Sequence, residues 1–303
     1  MEEVKPAFET RPLSEALGVE VLGVDPSGSL DDGDVAELRR LWLAHCILLF
    51  RGVDWTPEQH IAFTLQFGAL YTMPGIASKT STNLSGHPEI MVVSNIKRAG
   101  KPIGLRRAGW GWHSDGEDKM VPNMGSLLHA LKVPPQGGDT GFANTYKAYE
   151  ALSPAIRKRI DGRRCRFSRT ERHAVNYPNL PPLTDQEKRG RPDVWHPITR
   201  THPETGRTAL YVGRWAVEIE GIPKDEGRAL IQELTAHAVK PEFTYTHRWK
   251  SGDAILWDNR CTQHRAMPFD DDTYERHMQR TTLDGDTPYF VTARGERMES
   301  VLS

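Results

Sequence analysis

Short apolar runs, each bounded by glycine, proline or other turn-forming residues, recur along most of the chain. Such runs are typical of β-strands, particularly where valine, isoleucine, threonine and aromatic residues are frequent. The pattern predicts strands at residues 19–24, 47–50, 90–94, 126–133, 139–143, 209–213, 242–249, 253–257 and 277–283. So many short strands in one chain predict a mainly β fold.

Helical periodicity is confined to a few segments that carry clear start signals. Asp31 or Asp32 can cap a helix that continues to about residue 44. In Thr56-Pro57-Glu58-Gln59, a threonine cap precedes a proline at the first helical position and a glutamine at the capping-box position. That helix should end near Gly68. Further helices are predicted after Asn144, from Ser153-Pro154, and from about residue 223 to 238. We therefore expect peripheral helices packed outside a jelly-roll or barrel core.

The stretch from Tyr177 to Pro197 is rich in proline and charge and has no clear period. A loop of that length in a compact domain is usually a lid or a binding insertion, so a lid-like insertion is predicted at about residues 170–207. Neither an internal repeat nor an interdomain linker interrupts the pattern. The 303 residues are therefore expected to form a single domain.

Composition excludes several classes of function. The formal charge of −1 offers no global field that would attract nucleic acid or an anionic membrane. Three scattered cysteines, without a CxxC pair, argue against a disulfide scaffold or a structural zinc cluster. The sequence also begins without a signal-peptide pattern, and no apolar run is long enough to span a bilayer. A cytoplasmic protein without nucleic-acid or membrane partners is the expectation.

Two segments far apart in the sequence carry candidate metal ligands. His113 and Asp115 are two residues apart, so a strand would present both on one face. His264 follows a turn at Asp258-Asn259 and is predicted to lie on a returning strand. Two imidazoles and one carboxylate suit non-haem Fe(II), because they bind one face of the ion and leave the other positions open. The alternative for His264 is a hydrogen-bonded core histidine.

Two other His-x-acid triplets are weaker candidates. His87-Pro88-Glu89 and His202-Pro203-Glu204 both carry a central proline. Proline is frequent in turns, so we predict that both triplets form surface turns without a metal.

An arginine-bearing strand follows His264. Arg276, Met278 and Arg280 alternate with polar residues, so both arginines should lie on one strand face. If that face points into the core, each guanidinium needs an anionic partner, because an unpaired buried charge is costly. Combined with the candidate metal ligands, this indicates a pocket that binds a co-substrate carboxylate and an acidic group of a substrate. The alternative is an ordinary solvated strand face.

The motifs taken together resemble the taurine dioxygenase family of Fe(II)/2-oxoglutarate-dependent oxygenases, and within it the dichlorophenoxyacetate dioxygenase branch. The resemblance covers nearly the whole chain and is carried by Trp112-His113-Ser114-Asp115, Val133-Pro134-Pro135-Gln136-Gly137-Gly138-Asp139-Thr140, His247-Arg248-Trp249-Lys250-Ser251-Gly252-Asp253, Trp257-Asp258-Asn259-Arg260-Cys261 and Arg280-Thr281-Thr282-Leu283. It implies a double-stranded β-helix (jelly-roll) core with helices outside.

The resemblance also implies roles for individual residues. His113, Asp115 and His264 match the iron ligands. Thr140 and Arg276 match the residues that bind the far carboxylate of 2-oxoglutarate, and Arg280 matches the residue that binds the acidic group of the prime substrate. Trp112, Gly109 and Met73 are expected to line the substrate pocket. The chain departs from the taurine enzyme at Gly109 and in the loop 71–74 that contains Met73, which disfavours taurine as the substrate.

The expected activity is oxidation of a small acidic organic substrate with Fe(II), 2-oxoglutarate and O2, releasing succinate and CO2. Hydroxylation beside an O, N or S atom would also cleave the substrate. A homo-oligomer, dimer or tetramer, is the expected assembly. Two other classes remain open on the residues alone: a zinc or manganese jelly-roll hydrolase or isomerase, and a non-catalytic jelly-roll that binds small anions.

Overall fold

The computed structural model describes residues 8–28, 30–72, 82–107, 109–178 and 180–303. Within these ranges the helices are α1 (Asp32–His45), α2 (Pro57–Leu65), α3 (Thr145–Glu150), α4 (Pro154–Ile160), α5 (Arg169–Asn176), α6 (Asp185–Arg189) and α7 (Lys224–Ala238), with a 3-10 turn at Pro241–Phe243. The predicted caps are confirmed. Asp31 and Thr56 each form a capping box, and Asn144 and Ser153 accept hydrogen bonds from the first turns of α3 and α4. None of these helices is long and apolar enough to cross a membrane.

Strands make up the larger part of the regular structure. They are β1 (Glu9–Pro12), β2 (Val19–Leu22), β3 (Ile47–Phe50), β4 (Asn83–Leu84), β5 (His87–Ser94), β6 (Lys97–Arg98), β7 (Lys101–Pro102), β8 (Gly125–Lys132), β9 (Thr140–Asn144), β10 (Arg164–Phe167), β11 (Val194–Pro197), β12 (Thr199–Thr201), β13 (Thr208–Leu210), β14 (Ala216–Ile219), β15 (Thr244–His247), β16 (Ala254–Asp258), β17 (Thr262–Ala266), β18 (His277–Leu283), β19 (Tyr289–Val291), β20 (Arg297–Glu299) and β21 (Val301–Leu302). The prediction of a mainly β fold with peripheral helices is confirmed.

Two sheets enclose the central core. The larger has the order β1-β2-β3-β16-β8-β18-β5-β4, and the smaller has the order β15-β9-β17. Their pairings are antiparallel except that of β2 with β3. Phe142 from the small sheet packs with Leu128, Ile255 and Met278 of the large sheet, so the space between the two sheets is apolar at its centre. The chain passes from one sheet to the other between β16 and β17.

Two further clusters flank this core. Outside the large sheet, α1 and α2 bury Trp42 and Phe63 against Leu127 and Leu256. On another side, the sheet β14-β10-β11-β21 packs with α7 around Phe167, Trp215 and Leu234. Burial of these large side chains contributes much of the stability, at about 1.5–3 kcal/mol for each fully buried apolar side chain.

Three sequence predictions are corrected here. The triplet at His87 is not a turn, because it begins β5 and its imidazole lies 3.3 Å from a carboxylate oxygen of Glu58. His202 is not a surface residue, because its ring is buried against Asp258. The stretch 177–197 is not irregular throughout, since it contains the exposed helix α6 and the largely buried strand β11. The residues of α6 are all polar or charged, so the helix shows no apolar periodicity in the sequence.

Candidate active site

His113 and His264 face each other through a pair of backbone hydrogen bonds. The N–H of His113 donates to the carbonyl of His264 at 3.1 Å, and the N–H of His264 donates back at 2.8 Å. The two ring centroids are 4.3 Å apart. His264 lies on β17 as predicted, but His113 forms only an isolated bridge. The assumption that His113 and Asp115 share a regular strand is therefore wrong, and the loop 109–117 brings them together instead.

Asp115 completes a compact buried group. Its Oδ1 lies 3.8 Å from Nε2 of His113 and 3.9 Å from Nε2 of His264. One ligand atom from each residue lies within 4.8 Å of the other two, a spacing that could hold a metal ion. Ser126 on β8 donates its hydroxyl to Asp115 Oδ2 at 2.9 Å, and Asn259 Oδ1 accepts the Asp115 N–H at 3.2 Å. The Asp115 carboxylate therefore connects the two sheets: it is hydrogen-bonded to β8 of the large sheet and lies beside His264 of the small sheet.

The protonation states suit a cation. Nδ1 of His113 lies 2.8 Å from the carbonyl of Gly111, which can only accept, so Nδ1 carries the proton and Nε2 presents a lone pair to the centre. Burial lowers the pKa of His264 to about 4 and that of His113 well below its usual value. Burial alone would raise the pKa of Asp115, but Arg280 and the two imidazoles hold it below its ordinary value. Neutral imidazoles and an ionised carboxylate are what a metal requires.

Arg280 contacts the same carboxylate. Its Nη1 donates to Asp115 Oδ1 at 3.1 Å, and its Nη2 lies 3.4 Å from the sulfur of Met91. Its Nε is buried and has no hydrogen-bond partner among the described residues. Arg280 therefore lies beside the predicted metal ligands with donors still available.

Arg276 immediately precedes β18, the strand that carries Arg280, and lies in a different environment. Its side chain is 7% exposed, its Nε has no partner, and no carboxylate in the described ranges forms an ion pair with it. Burial lowers the pKa of Arg276 to about 10, and Asp139 opposes that shift. The guanidinium borders a small cavity with Leu105, Trp110 and Phe269. A buried arginine without a counter-ion is the arrangement expected of an anion-binding residue.

Thr140 has an oriented hydroxyl. Trp249 donates its indole N–H to Thr140 Oγ1 at 2.9 Å. Because this bond occupies a lone pair of the oxygen, the hydroxyl hydrogen remains free to donate elsewhere. Thr140 is buried at the start of β9, next to the loop of Gly138 and Asp139 that reaches Arg276. It can therefore offer a donor to an anion near that arginine.

Gly109, Trp112 and Met73 were also predicted to line the substrate pocket, and the structure treats each differently. Gly109 has φ +72°, and a Cβ there would lie 3.2 Å from Cε1 of His113, so only glycine fits without displacing the imidazole. The ring of Trp112 lies against Gly141 and under the guanidinium of Arg265, whose neighbour His264 points the opposite way. Trp112 therefore covers the outer side of the small sheet and does not line the pocket. Met73 lies outside the described residues.

Two charged residues near the centre were missed in the sequence. Glu117 is buried and accepts the N–H groups of Ser114 at 3.1 Å and Trp215 at 3.2 Å. Burial raises its pKa to about 7, although Arg214 and the two N–H groups oppose that rise. Arg214 lies close enough to lower the pKa of both His113 and His264. Neither residue belongs to a recognisable motif, so no sequence signal could have revealed them.

A second buried group has metal-ligating atoms but does not suit a metal. His202, Asp258 and Cys261 place such atoms within 4.8 Å of one another. Nδ1 of His202 accepts two backbone N–H groups at 3.2 Å, so its Nε2 carries the hydrogen that it donates to Asp258 at 3.0 Å. Arg260 donates to both oxygens of Asp258, at 2.9 and 2.7 Å. The lone pairs are in use, and the group is a structural ion-pair network.

The strand-rich fold and the buried His–Asp–His group with its arginines are typical of the 2-oxoglutarate-dependent dioxygenases. Comparison with known proteins agrees. Residues 9–282 match the family "Taurine catabolism dioxygenase TauD, TfdA family". The chain therefore belongs to this family of dioxygenases, a class of oxidoreductases that use Fe(II), 2-oxoglutarate and O2.

Individual relatives extend over most of the chain. It is 35% identical over 285 residues to the alpha-ketoglutarate-dependent 2,4-dichlorophenoxyacetate dioxygenase of Cupriavidus pinatubonensis, covering 90% of this chain and 96% of the relative. It is 34% identical to the (S)-phenoxypropionate/alpha-ketoglutarate-dioxygenase of Sphingobium herbicidovorans, covering 93% and 97%. A crystal structure of a taurine dioxygenase from Burkholderia xenovorans superposes with a TM-score of 0.80 at 34% identity, covering 98% and 95%. The family resemblance predicted from the motifs is confirmed.

Proposed function

We propose that this protein oxidises a small organic acid at an Fe(II) ion held by His113, Asp115 and His264, coupled to conversion of 2-oxoglutarate to succinate and CO2. The observation that carries the proposal is the buried group itself: two neutral imidazoles and one ionised carboxylate, with arginines beside it that lack sufficient anionic partners. The bound iron supplies the site at which O2 is activated. The protein's own residues bind, orient and neutralise the organic acids.

The core fold is proposed to be a double-stranded β-helix (jelly-roll). The antiparallel sheets β1-β2-β3-β16-β8-β18-β5-β4 and β15-β9-β17 face each other, and the chain crosses between them at residues 258–262. The ligand group lies where that crossing meets the loop 109–117. A single domain, with a lid-like insertion at about residues 170–207, completes the proposal.

Arg276 and Thr140 would hold the far carboxylate of 2-oxoglutarate. The guanidinium is buried without an ion-pair partner among the described residues, so a carboxylate would offset its desolvation. The hydroxyl hydrogen of Thr140, left free by the bond from Trp249, can donate to the same carboxylate. These donors orient the co-substrate with its other end towards the metal ligands.

Arg280 would bind the acidic group of the prime substrate. One of its five N–H donors contacts Asp115, another contacts Met91 and the buried Nε is unused. A substrate acid at these remaining donors would lie beside the metal ligands, which places its neighbouring carbon near the oxidising centre. Since two of the relatives above are named for 2,4-dichlorophenoxyacetate and (S)-phenoxypropionate, we infer that aryloxyalkanoate-type acids are the first substrates to examine.

A metal analysis combined with a turnover assay tests the function. The purified protein should bind one Fe(II) per chain, and an accepted acid should stimulate succinate formation from 2-oxoglutarate. His113→Ala and Asp115→Ala should abolish turnover, whereas Trp112→Phe, on the outer side of the small sheet, is a matched control that should retain it. Full activity of an iron-free zinc form would favour a hydrolase or isomerase, and anion binding without turnover would favour a non-catalytic protein.

The assembly is proposed to be a homo-oligomer, either a dimer or a tetramer, which light scattering on the purified protein would test.

A further inference from the structure

His247 on β15 lies directly opposite Thr140 on β9 in the small sheet. Residues directly opposite in an antiparallel pair point to the same face of the sheet. Phe142, two residues after Thr140, points into the core between the two sheets, so Thr140 and His247 point there as well. Both side chains are buried. A buried histidine therefore lies beside the hydroxyl that is proposed to bind 2-oxoglutarate.

The imidazole of His247 is held at both nitrogens. Asp253, which immediately precedes β16, has its Oδ2 2.9 Å from Nε2 of His247. A carboxylate only accepts hydrogen bonds, so Nε2 is the donor. Nδ1 lies 3.0 Å from the hydroxyl of Tyr245, two residues earlier on the same strand. These two contacts leave the ring little freedom to rotate.

Asp253 is itself fixed from two directions. Arg51, which follows β3, donates from Nη1 to both carboxylate oxygens at 3.0 Å, and the N–H of Lys250 donates to Oδ2 at 2.9 Å. Asp253 is 1% exposed, and hydrogen bonds to a charged group are strong where water is excluded. Since β3 and β16 belong to the large sheet, these bonds fix the position of His247 relative to that sheet.

The ring of His247 supports Trp249. Their ring centroids are 4.6 Å apart and the ring planes are inclined at 84°, which is an edge-to-face contact. Trp249 donates its indole N–H to Thr140 Oγ1 at 2.9 Å. An indole has only this one donor, so a displaced ring would lose the bond and leave the Thr140 hydroxyl free to rotate. The direction of that hydroxyl therefore depends on His247 through Trp249.

We propose that His247 is a positioning residue for 2-oxoglutarate, which holds Trp249 so that the Thr140 hydroxyl is directed to donate to the far carboxylate. This inference rests on the proposed function, because it assumes that Thr140 donates to 2-oxoglutarate. It extends the co-substrate site from Thr140 through Trp249 and His247 to Asp253, next to the large sheet.

His202 offers a matched control. Its ring is also buried, and its Nε2 donates to a buried carboxylate, that of Asp258, at 3.0 Å. Its aromatic neighbour is Tyr146, at 6.0 Å between ring centroids, instead of Trp249. His247→Asn and His202→Asn thus remove the same kind of buried histidine–aspartate pair, but only His247→Asn removes the support of Trp249.

The experiment measures the Kd of 2-oxoglutarate by calorimetry, on protein carrying Mn(II) without oxygen. Asparagine is too short to reach Asp253 or to replace the imidazole against Trp249. We expect His247→Asn to raise the Kd about fivefold, as for loss of one hydrogen bond, and His202→Asn to leave it within about twofold. Thermal unfolding of both variants shows whether they are folded and similarly destabilised.

A double variant tests whether His247 acts through Trp249. Trp249→Phe alone should raise the Kd by a similar factor, because it removes the N–H that His247 holds in place. Adding His247→Asn to Trp249→Phe should then change the Kd by no more than about twofold, since both changes act on the same hydrogen bond. A merely structural role of His247 predicts that the two effects add.

Thr140→Val separates this inference from the proposed function. If Thr140→Val leaves the Kd unchanged, the proposed role of Thr140 fails and the inference fails with it. If Thr140→Val raises the Kd but His247→Asn does not, or if His247→Asn and Trp249→Phe add, the inference alone is wrong. Should His247→Asn not fold, Tyr245→Phe removes the hydroxyl at Nδ1 and keeps the ring. It should raise the Kd about two- to threefold, and only where Trp249 is present; an unchanged Kd would refute the inference.

Discussion

Replacing Arg276 with methionine should stabilise the protein in the absence of ligands and strongly weaken its affinity for 2-oxoglutarate. The side chain is 7% exposed and has no ion-pair partner among the described residues. Burial lowers its pKa from the ordinary arginine value to about 10, which corresponds to about 3 kcal/mol of disfavoured charge in the folded state. Methionine is of similar length, can fill much of the same volume and carries no charge to desolvate. We expect the free energy of unfolding to rise by about 1–3 kcal/mol, since part of the gain is lost to imperfect packing.

The same change should weaken 2-oxoglutarate binding. Removing one partner of a buried charge pair costs about 2–5 kcal/mol, so the Kd should rise by roughly 30-fold or more. Thermal unfolding with and without 2-oxoglutarate measures both effects, because a ligand that binds only the folded state raises the Tm. The unmodified protein should show that rise, and Arg276→Met should start from a higher Tm and respond little.

Arg260→Met is the matched control, because Arg260 is equally buried but fully paired with Asp258 and Glu204. It should lower the free energy of unfolding by about 3–5 kcal/mol by leaving a buried carboxylate unpaired. Two results would contradict this account of Arg276. The Arg276→Met protein could be destabilised without ligand, as is expected of Arg260→Met, or it could retain its affinity for 2-oxoglutarate.

Other predictions concern the surrounding residues. Arg280→Ala should weaken binding of the acidic substrate by about 2–5 kcal/mol in titrations and leave 2-oxoglutarate affinity nearly unchanged; a neutral preferred substrate would contradict this. Trp249→Phe removes the N–H that orients Thr140 and keeps an aromatic ring in the core, so the KM for 2-oxoglutarate should rise about fivefold with kcat little changed, and an unchanged KM would exclude the orienting role. Burial raises the pKa of Glu117 from 4.5 to about 7, so the folded state binds the extra proton and stability falls as pH rises between those values. The Tm of Glu117→Gln minus that of the unmodified protein should therefore increase from pH 5 to pH 8, by an amount that corresponds to up to about 3 kcal/mol in the free energy of unfolding. A Tm difference that does not change with pH would refute the raised pKa of Glu117.

Local signals in the sequence determined much of the secondary structure. The caps at Asp31, Thr56 and Ser153 act within one helical turn, so they are readable without tertiary information. The strands Ile47–Phe50 and His277–Leu283 have the predicted bounds, because apolar runs and alternation report burial directly. The family and its expected cofactors also followed from short motifs whose residue types and spacing are specific.

Only the tertiary structure decided which side chains meet and which way they face. Trp112 adjoins His113 in sequence yet lies on the outer side of the small sheet, because neighbouring residues at the antiparallel bridge of His113 and His264 point to opposite faces. His202 occurs in a turn-like triplet yet is buried against Asp258, since distant strands enclose it. Arg214 is anchored by α5 through its carbonyl and packs its guanidinium on Trp215, and the contact with α5 is not encoded by a local pattern. Packing between distant segments decides which charged side chains meet, whereas helix propensity and helix capping depend on neighbours along the chain.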